Sequence, residues 1–256
     1  MLTAKSTYDY INMESFAGSL NVLIIGASGG IGGAVISNLS KNPTTRIWAT
    51  ARKNIEYNSD MIIPLFLDLN DEKSIKSVAE NIANSGNTLD LVLVATGFLH
   101  DALIKPEKTW KSLNHSSFSK SFSINCIGPA LVAKHVLPLL RKESKSVFAV
   151  LSARIGSISD NHTGGWHSYR ASKAALNMLI RTLAVELSRT NPSALCVSLH
   201  PGTVDTSLSL PFQRGVSKEQ LFNKNLAASQ LLNVIDTLKI NSSGGLYAWD
   251  GKSIAF

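Results

Sequence analysis

Residues 21–32 read Asn21-Val22-Leu23-Ile24-Ile25-Gly26-Ala27-Ser28-Gly29-Gly30-Ile31-Gly32. A short apolar run bounded by turn residues is the pattern of a strand buried on both faces. The glycine cluster lets the backbone turn sharply and approach a ligand closely, and the pattern over 31–39 is helical. Free N–H groups at the start of that helix would face the turn, where a pyrophosphate is well held. The spacing Gly-x-x-x-Gly-x-Gly differs from the Gly-x-Gly-x-x-Gly of other dinucleotide folds.

Outward from this turn the chain alternates. Strands are expected at 46–50, 62–67, 89–95, 146–151 and 195–199, with an edge strand at 244–249. Helices are expected at 72–83, 116–140, 168–187 and 226–237. Residues 1–20 read as a flexible N-terminal extension, and 207–225, without clear pattern, as a mobile lid. Alternating strands and helices imply an α/β fold, a Rossmann-type doubly wound parallel sheet of about seven strands with helices on both faces. We expect a single domain over 21–256, with ligands bound outside the carboxyl ends of the strands.

The 256 residues are 44% hydrophobic and 17% charged, which excludes a disordered or fibrous chain. Two cysteines, Cys126 and Cys196, provide neither a disulfide framework nor a zinc signature, so no metal is expected and a reducing, cytoplasmic setting fits. No apolar run approaches the roughly eighteen residues of a membrane span, and the first twenty residues do not read as a secretory signal. The net charge of +7 comes from scattered residues rather than a basic stripe, so nucleic acid is not an expected partner.

Tyr169-Arg170-Ala171-Ser172-Lys173 opens the expected helix at 168–187. Residues four apart share a helix face, so phenol and ammonium address one spot. A nearby cation is expected to lower the tyrosine's pKa and suit it to proton exchange with a carbonyl or alcohol oxygen. At the end of the second strand, an acidic residue would bind a ribose 2′-hydroxyl and repel a 2′-phosphate. Ala51 and Arg52 stand there instead, and Arg52 with the Ser28 hydroxyl could pair with that phosphate.

Together these motifs resemble the short-chain dehydrogenase/reductase family over about residues 20–256. Ala51 lies where relatives preferring NAD carry Asp, so the resemblance implies NADP(H) rather than NAD(H). It implies a cofactor site of Gly26, Ser28, Gly29, Gly30, Ile31, Gly32 and Arg52, with Asp68 and Leu69 at the adenine and Ala95, Thr96 and Gly97 at the ribose. Asn125 resembles the helix asparagine that holds the lysine through a water chain. Pro201, Gly202, Val204 and Thr206 resemble the Pro-Gly-x-x-x-Thr loop around the carboxamide. The stretches Gly156-Ser157-Ile158 and Gly164-Gly165-Trp166 look most like the sniffer and C-signal subgroup of carbonyl reductases.

The implied function is hydride transfer between the cofactor and a small carbonyl or alcohol, with Asn125, Ser152, Tyr169 and Lys173 catalytic. The alternative is a cofactor-binding signalling or regulatory protein on the same fold. Two departures bear on this choice. The family's Asn-Asn-Ala-Gly reads Val94-Ala95-Thr96-Gly97, losing the asparagine side chain. Its second catalytic serine aligns with Ala153, so Ser152 is expected as the substitute donor, ahead of Ser157. Relatives commonly pair through the helices matching 116–140 and 168–187, and both carry apolar residues all round here, so the resemblance implies a homodimer or homotetramer.

Overall fold

The computed structural model describes residues 11–217 and 219–256. The strands are β1 (Asn21–Ile25), β2 (Arg46–Ala51), β3 (Ile62–Phe66), β4 (Leu91–Val94), β5 (Ser146–Leu151), β6 (Ala194–His200), β7 (Thr203–Val204), β8 (Leu221–Phe222), β9 (Leu246–Ala248) and β10 (Ser253–Ile254). One sheet runs in the order β3-β2-β1-β4-β5-β6-β9-β10. All its neighbours are parallel except the β9–β10 pair. The expected parallel strands are therefore present, and an added antiparallel strand makes eight. Because β10 lies outside β9, the 244–249 strand is not the edge. The order reverses between β1 and β4, and the crevice above that switch point is where such sheets bind ligands.

The helices are α1 (Gly30–Leu39), α2 (Glu72–Asn84), α3 (His115–Phe122), α4 (Gly128–Val136), α5 (His167–Thr190) and α6 (Lys224–Thr237). Strand residues alternate between faces and so feed two cores. Val22, Ile24 and Ala149 pack with Val35 of α1 and Leu231 of α6. Leu23, Val92 and Phe148 pack with Ile75 of α2, Val132 of α4 and Ile180 of α5.

The expected helix at 116–140 is not continuous. A π-helical turn, Ser123–Ile127, separates α3 from α4, and a 3₁₀ turn closes the segment at Leu137–Leu139. Such turns favour functional sites because the wider ring re-aims a side chain, here Asn125. By length and composition His115–Leu139 could cross a membrane; in this fold Val132, Ala133 and Val136 are buried against the sheet layer.

Residues 11–20 pack on the core rather than forming the flexible extension expected of 1–20. Residues 1–10 lie outside the described residues, but Met13, Phe16 and Leu20 are buried in the core beneath α1 and α6. Lys145 pins the segment, donating to Ser15 Oγ and to the Ile235 and Asp236 carbonyls, each at 2.8 Å. The three anchors have the i, i+3, i+7 spacing of a helix face, but the backbone over 11–20 is irregular, and polar neighbours hid them.

Helix caps divide the molecule. Asp71, Asn114 and Asn223 each accept a backbone N–H of the helix they precede, closing α2, α3 and α6. The start of α1, at Gly29, has no side-chain cap and no acidic residue in its first turn.

Candidate active site

Gly26 leaves β1 at φ 92°, a region where only glycine is unstrained, and its N–H donates to the Thr50 carbonyl at 3.1 Å. At Gly32 a Cβ would lie 2.3 Å from the Gly26 carbonyl oxygen, so the turn closes only on hydrogen. A Cβ on Gly30 would lie 2.7 Å from the Thr206 methyl, which brings the 201–206 loop against the glycine turn. Ile31 packs with Val204 and Phe222. Ser28 and Gly29 are exposed on the turn.

Arg52 is exposed at the end of β2 and makes no ion pair among the described residues, while Ala51 is buried. The Asp68 carboxylate accepts from the backbone N–H of Asn70 at 3.0 Å. Leu69 is buried, its side chain directly against the Cα of Gly128, so a ligand contact from Leu69 falls to its main chain. Ala95, Thr96 and Gly97 follow β4 beside Gly26, whose absent Cβ would lie 2.9 Å from the Thr96 methyl. Gly202 takes φ 76° against Phe222 and Trp249.

Tyr169 and Lys173 share one face of α5, with the ammonium 5.8 Å from the phenol ring centre. Lys173 is buried and donates to the Leu151 carbonyl at the end of β5, at 2.7 Å. Asn125 reaches across from the π-helical turn. Its oxygen accepts the Phe98 N–H at 2.7 Å, and its nitrogen donates to the Phe98 carbonyl at 2.9 Å and to Ser172 Oγ at 3.0 Å. This side chain therefore clamps the chain just after Gly97, a role the sequence did not reveal.

The expected lowering of the tyrosine pKa is reversed. Burial pushes Tyr169 up to about 12, because the phenolate would lose its hydration. Burial also pulls Lys173 down to about 8, an effect that negative charge on Cys126 would oppose.

Ser152 does not take the donor position. Its hydroxyl is buried and donates to Asn177 Oδ1 at 2.7 Å, under α5 and below Lys173. Ser152 keeps the face of Val150, whereas Ala153 starts the 3₁₀ turn Arg154–Gly156. Ser157 is also buried, and its Oγ accepts the Asp160 N–H at 3.2 Å within its own loop. Neither serine hydrogen-bonds the phenol among the described residues.

The short chain dehydrogenase family profile matches residues 20–215. The chain belongs to this family. Within this oxidoreductase family, the C-signal protein of Myxococcus xanthus is 32% identical over 143 residues, 56% of this chain and 80% of that protein. The carbonyl reductase Sniffer of Drosophila melanogaster superposes with TM-score 0.80 at 22% identity, covering 93% of this chain and 99% of that one. The NADPH-bound carbonyl reductase from chicken fatty liver gives TM-score 0.79 at 26% identity, covering 92% and 98%. The resemblance to the sniffer and C-signal relatives is thus borne out.

The residues present fit the nicotinamide dinucleotide of short chain dehydrogenases. The glycine turn leaves a cradle that any Cβ at Gly32 would destroy. The first turn of α1 is uncapped, and Thr96 Oγ1 beside it is buried with no partner among the described residues.

Above Tyr169 lies an aromatic wall. Trp166 meets Tyr169 edge-on at 6.3 Å and Phe212 at 4.9 Å, and Phe212 meets His100 at 5.4 Å. His100 Nε2 lies 3.2 Å from the Leu208 carbonyl oxygen. The Leu208–Phe212 part of the expected lid is therefore tied down from two sides. Nearby, Phe98 and Leu99 are buried, and Leu210 is exposed. His200, before Pro201, was not anticipated; burial holds it neutral, at about 4, with Nδ1 unpartnered among the described residues.

Proposed function

We propose that this protein is an NADP(H)-dependent oxidoreductase acting on a small carbonyl or alcohol, with Tyr169 as acid and base assisted by Lys173 and Asn125. The observation that carries the reading is the Tyr169–Lys173 pair on one face of α5, beside Gly97 and above the switch point. The nicotinamide, when bound, supplies or accepts the hydride. Burial keeps Tyr169 protonated at neutral pH, ready to donate to an oxygen gaining negative charge. Below about pH 8 Lys173 is a cation and offsets the phenolate left behind. Asn125 fixes the Gly97–Phe98 backbone against which the nicotinamide ribose would rest. Gly26, Gly30, Gly32 and the α1 N-terminus would hold the pyrophosphate, Asp68 and Leu69 the adenine, and Pro201, Gly202, Val204 and Thr206 the carboxamide. Arg52, exposed beside Ala51 with no ion pair among the described residues, supports NADP(H) over NAD(H).

The second reading, a cofactor-binding signalling or regulatory protein, is favoured by one observation: the Ser152 and Ser157 hydroxyls are engaged by Asn177 and Asp160 rather than by Tyr169. Losing one preorganised donor typically costs about a hundred- to a thousandfold in rate, which slows the reaction without abolishing it.

Titrating NADPH and following its oxidation with a panel of carbonyl compounds separates the two. Tyr169→Phe should lower turnover by about a thousandfold and leave NADPH affinity within about twofold. Reduction by the wild type should fall as pH rises through about 8, where Lys173 loses its charge. NADPH binding without turnover of any carbonyl overturns the first reading.

We also infer a homodimer or homotetramer. Ile127 on the π-helical turn and Met178 and Val185 on α5 are exposed apolar residues on the helices expected to pair. Static light scattering at micromolar concentration should give a multiple of 27.6 kDa, and a monomeric mass would refute it.

A further inference from the structure

Trp166 is the residue before α5, and it has no side-chain cap of its own. It is the one non-glycine residue with positive φ among the described residues, at φ 51° and ψ 42°. Gly164 and Gly165 precede it at φ 63° and 68°, so three consecutive residues turn left-handed immediately before the helix that carries Tyr169. For an indole-bearing residue this conformation costs about 1–2 kcal/mol, and it persists only where the surroundings enforce it.

Two residues enforce it. Arg170 folds back from inside α5, donating to the Gly165 carbonyl at 2.9 Å, Thr163 Oγ1 at 2.8 Å and the Gly164 carbonyl at 3.1 Å. Glu107 arrives from the connection between β4 and α3. Its main-chain carbonyl accepts the Trp166 N–H at 2.5 Å, and its carboxylate accepts the Ser168 N–H at 3.2 Å. Glu107 is 3% exposed and has no salt-bridge partner among the described residues. A buried carboxylate with so few partners is costly. The end of a long helix offsets that cost, since it carries about half a positive charge.

We propose that Glu107 is a positioning residue for this site: a cap supplied from a distant loop, which holds the left-handed turn and thereby sets Trp166 against Tyr169. Trp166 is then the wall that selects the substrate's non-reacting side. The inference rests on the oxidoreductase reading. It adds that the first turn of α5 is aimed from outside the helix, by a group that touches neither substrate nor cofactor.

The test compares Glu107→Ala, Glu107→Gln and Trp166→Ala in the full chain. Glu107→Ala should lower kcat for carbonyl reduction by about ten- to a hundredfold, the effect of misplacing a reacting group by about 1 Å, and leave KM for NADPH unchanged. Glu107→Gln should recover most of that loss, because an amide oxygen can accept the same N–H. Trp166→Ala should change the ranking of carbonyl substrates by bulk while Tyr169 still turns them over. Wild-type kcat in Glu107→Ala, a Gln variant no better than Ala, or an unchanged ranking in Trp166→Ala overturns the proposal. Hydrogen exchange over 166–169 reads the cap without turnover. It should quicken in Glu107→Ala, and unchanged exchange refutes the cap even if the wild type reduces no carbonyl. Absence of wild-type turnover with faster exchange in Glu107→Ala would instead remove the oxidoreductase reading, and with it the catalytic role assigned to Glu107.

Discussion

The glycine turn after β1 and the cleft around Tyr169 sit above the same sheet but are built differently. The turn is closed mainly by its own atoms: Gly29 N–H donates to the Gly26 carbonyl at 3.0 Å, and Gly33 N–H to Gly29 at 2.9 Å. The cleft is assembled from the β4 end, the π-helical turn, the β5 end, α5 and the loops carrying Glu107 and Phe212. One site is specified by spacing within a few residues, the other by contacts between distant segments. The turn should therefore fail through single atoms, whereas the cleft should fail by degrees.

The largest effect is expected at Gly32. Gly32→Ala places a methyl 2.3 Å from the Gly26 oxygen and should cost about 3 kcal/mol of stability, as overpacking of a closed site does. NADPH binding should vanish with it, measured by fluorescence titration of the fraction that remains folded. A folded variant with wild-type affinity would show that the turn is less tightly specified than its geometry.

A smaller effect tests the rim of the same region. Arg52→Ala should weaken NADPH by about 1.5–3 kcal/mol, the worth of a hydrogen bond to a charged group, and leave NADH nearly unchanged. Equal losses for both cofactors in calorimetric titration would remove Arg52 from the phosphate site.

The smallest effect sharpens the comparison from the cleft side. Ser152→Ala strips the donor from Asn177 Oδ1 and should cost about 1–2 kcal/mol in denaturant unfolding, with kcat changed less than about twofold. A selective loss of kcat at unchanged stability would return Ser152 to the catalytic set.

Much of the fold was legible because its signals are local. β1 and β5 were bounded to the residue by apolar runs between turn formers, and α2 and α6 began near the asparagine or aspartate that caps them. Residues 11–20 were misread because burial of Met13 and Phe16 depends on the groove they meet, and a short segment with polar neighbours does not announce that groove. The same holds for Glu107, an acidic residue in a polar loop until α5 is set beside it.

The sequence by itself determined the alternation of strands and helices, the glycine turn and the pairing of Tyr169 with Lys173. Each depends on spacings of a few residues, and backbone geometry converts such spacings directly into positions. Only the tertiary structure decided which way Ser152 faces, what Asn125 holds, how far burial moves Tyr169 and Lys173, and what aims the start of α5. Those outcomes follow from desolvation and from partners dozens of residues away. Asn125 meets Phe98 across 27 residues, and Glu107 meets Ser168 across 61. Such contacts exist only once the sheet has brought the strand ends together.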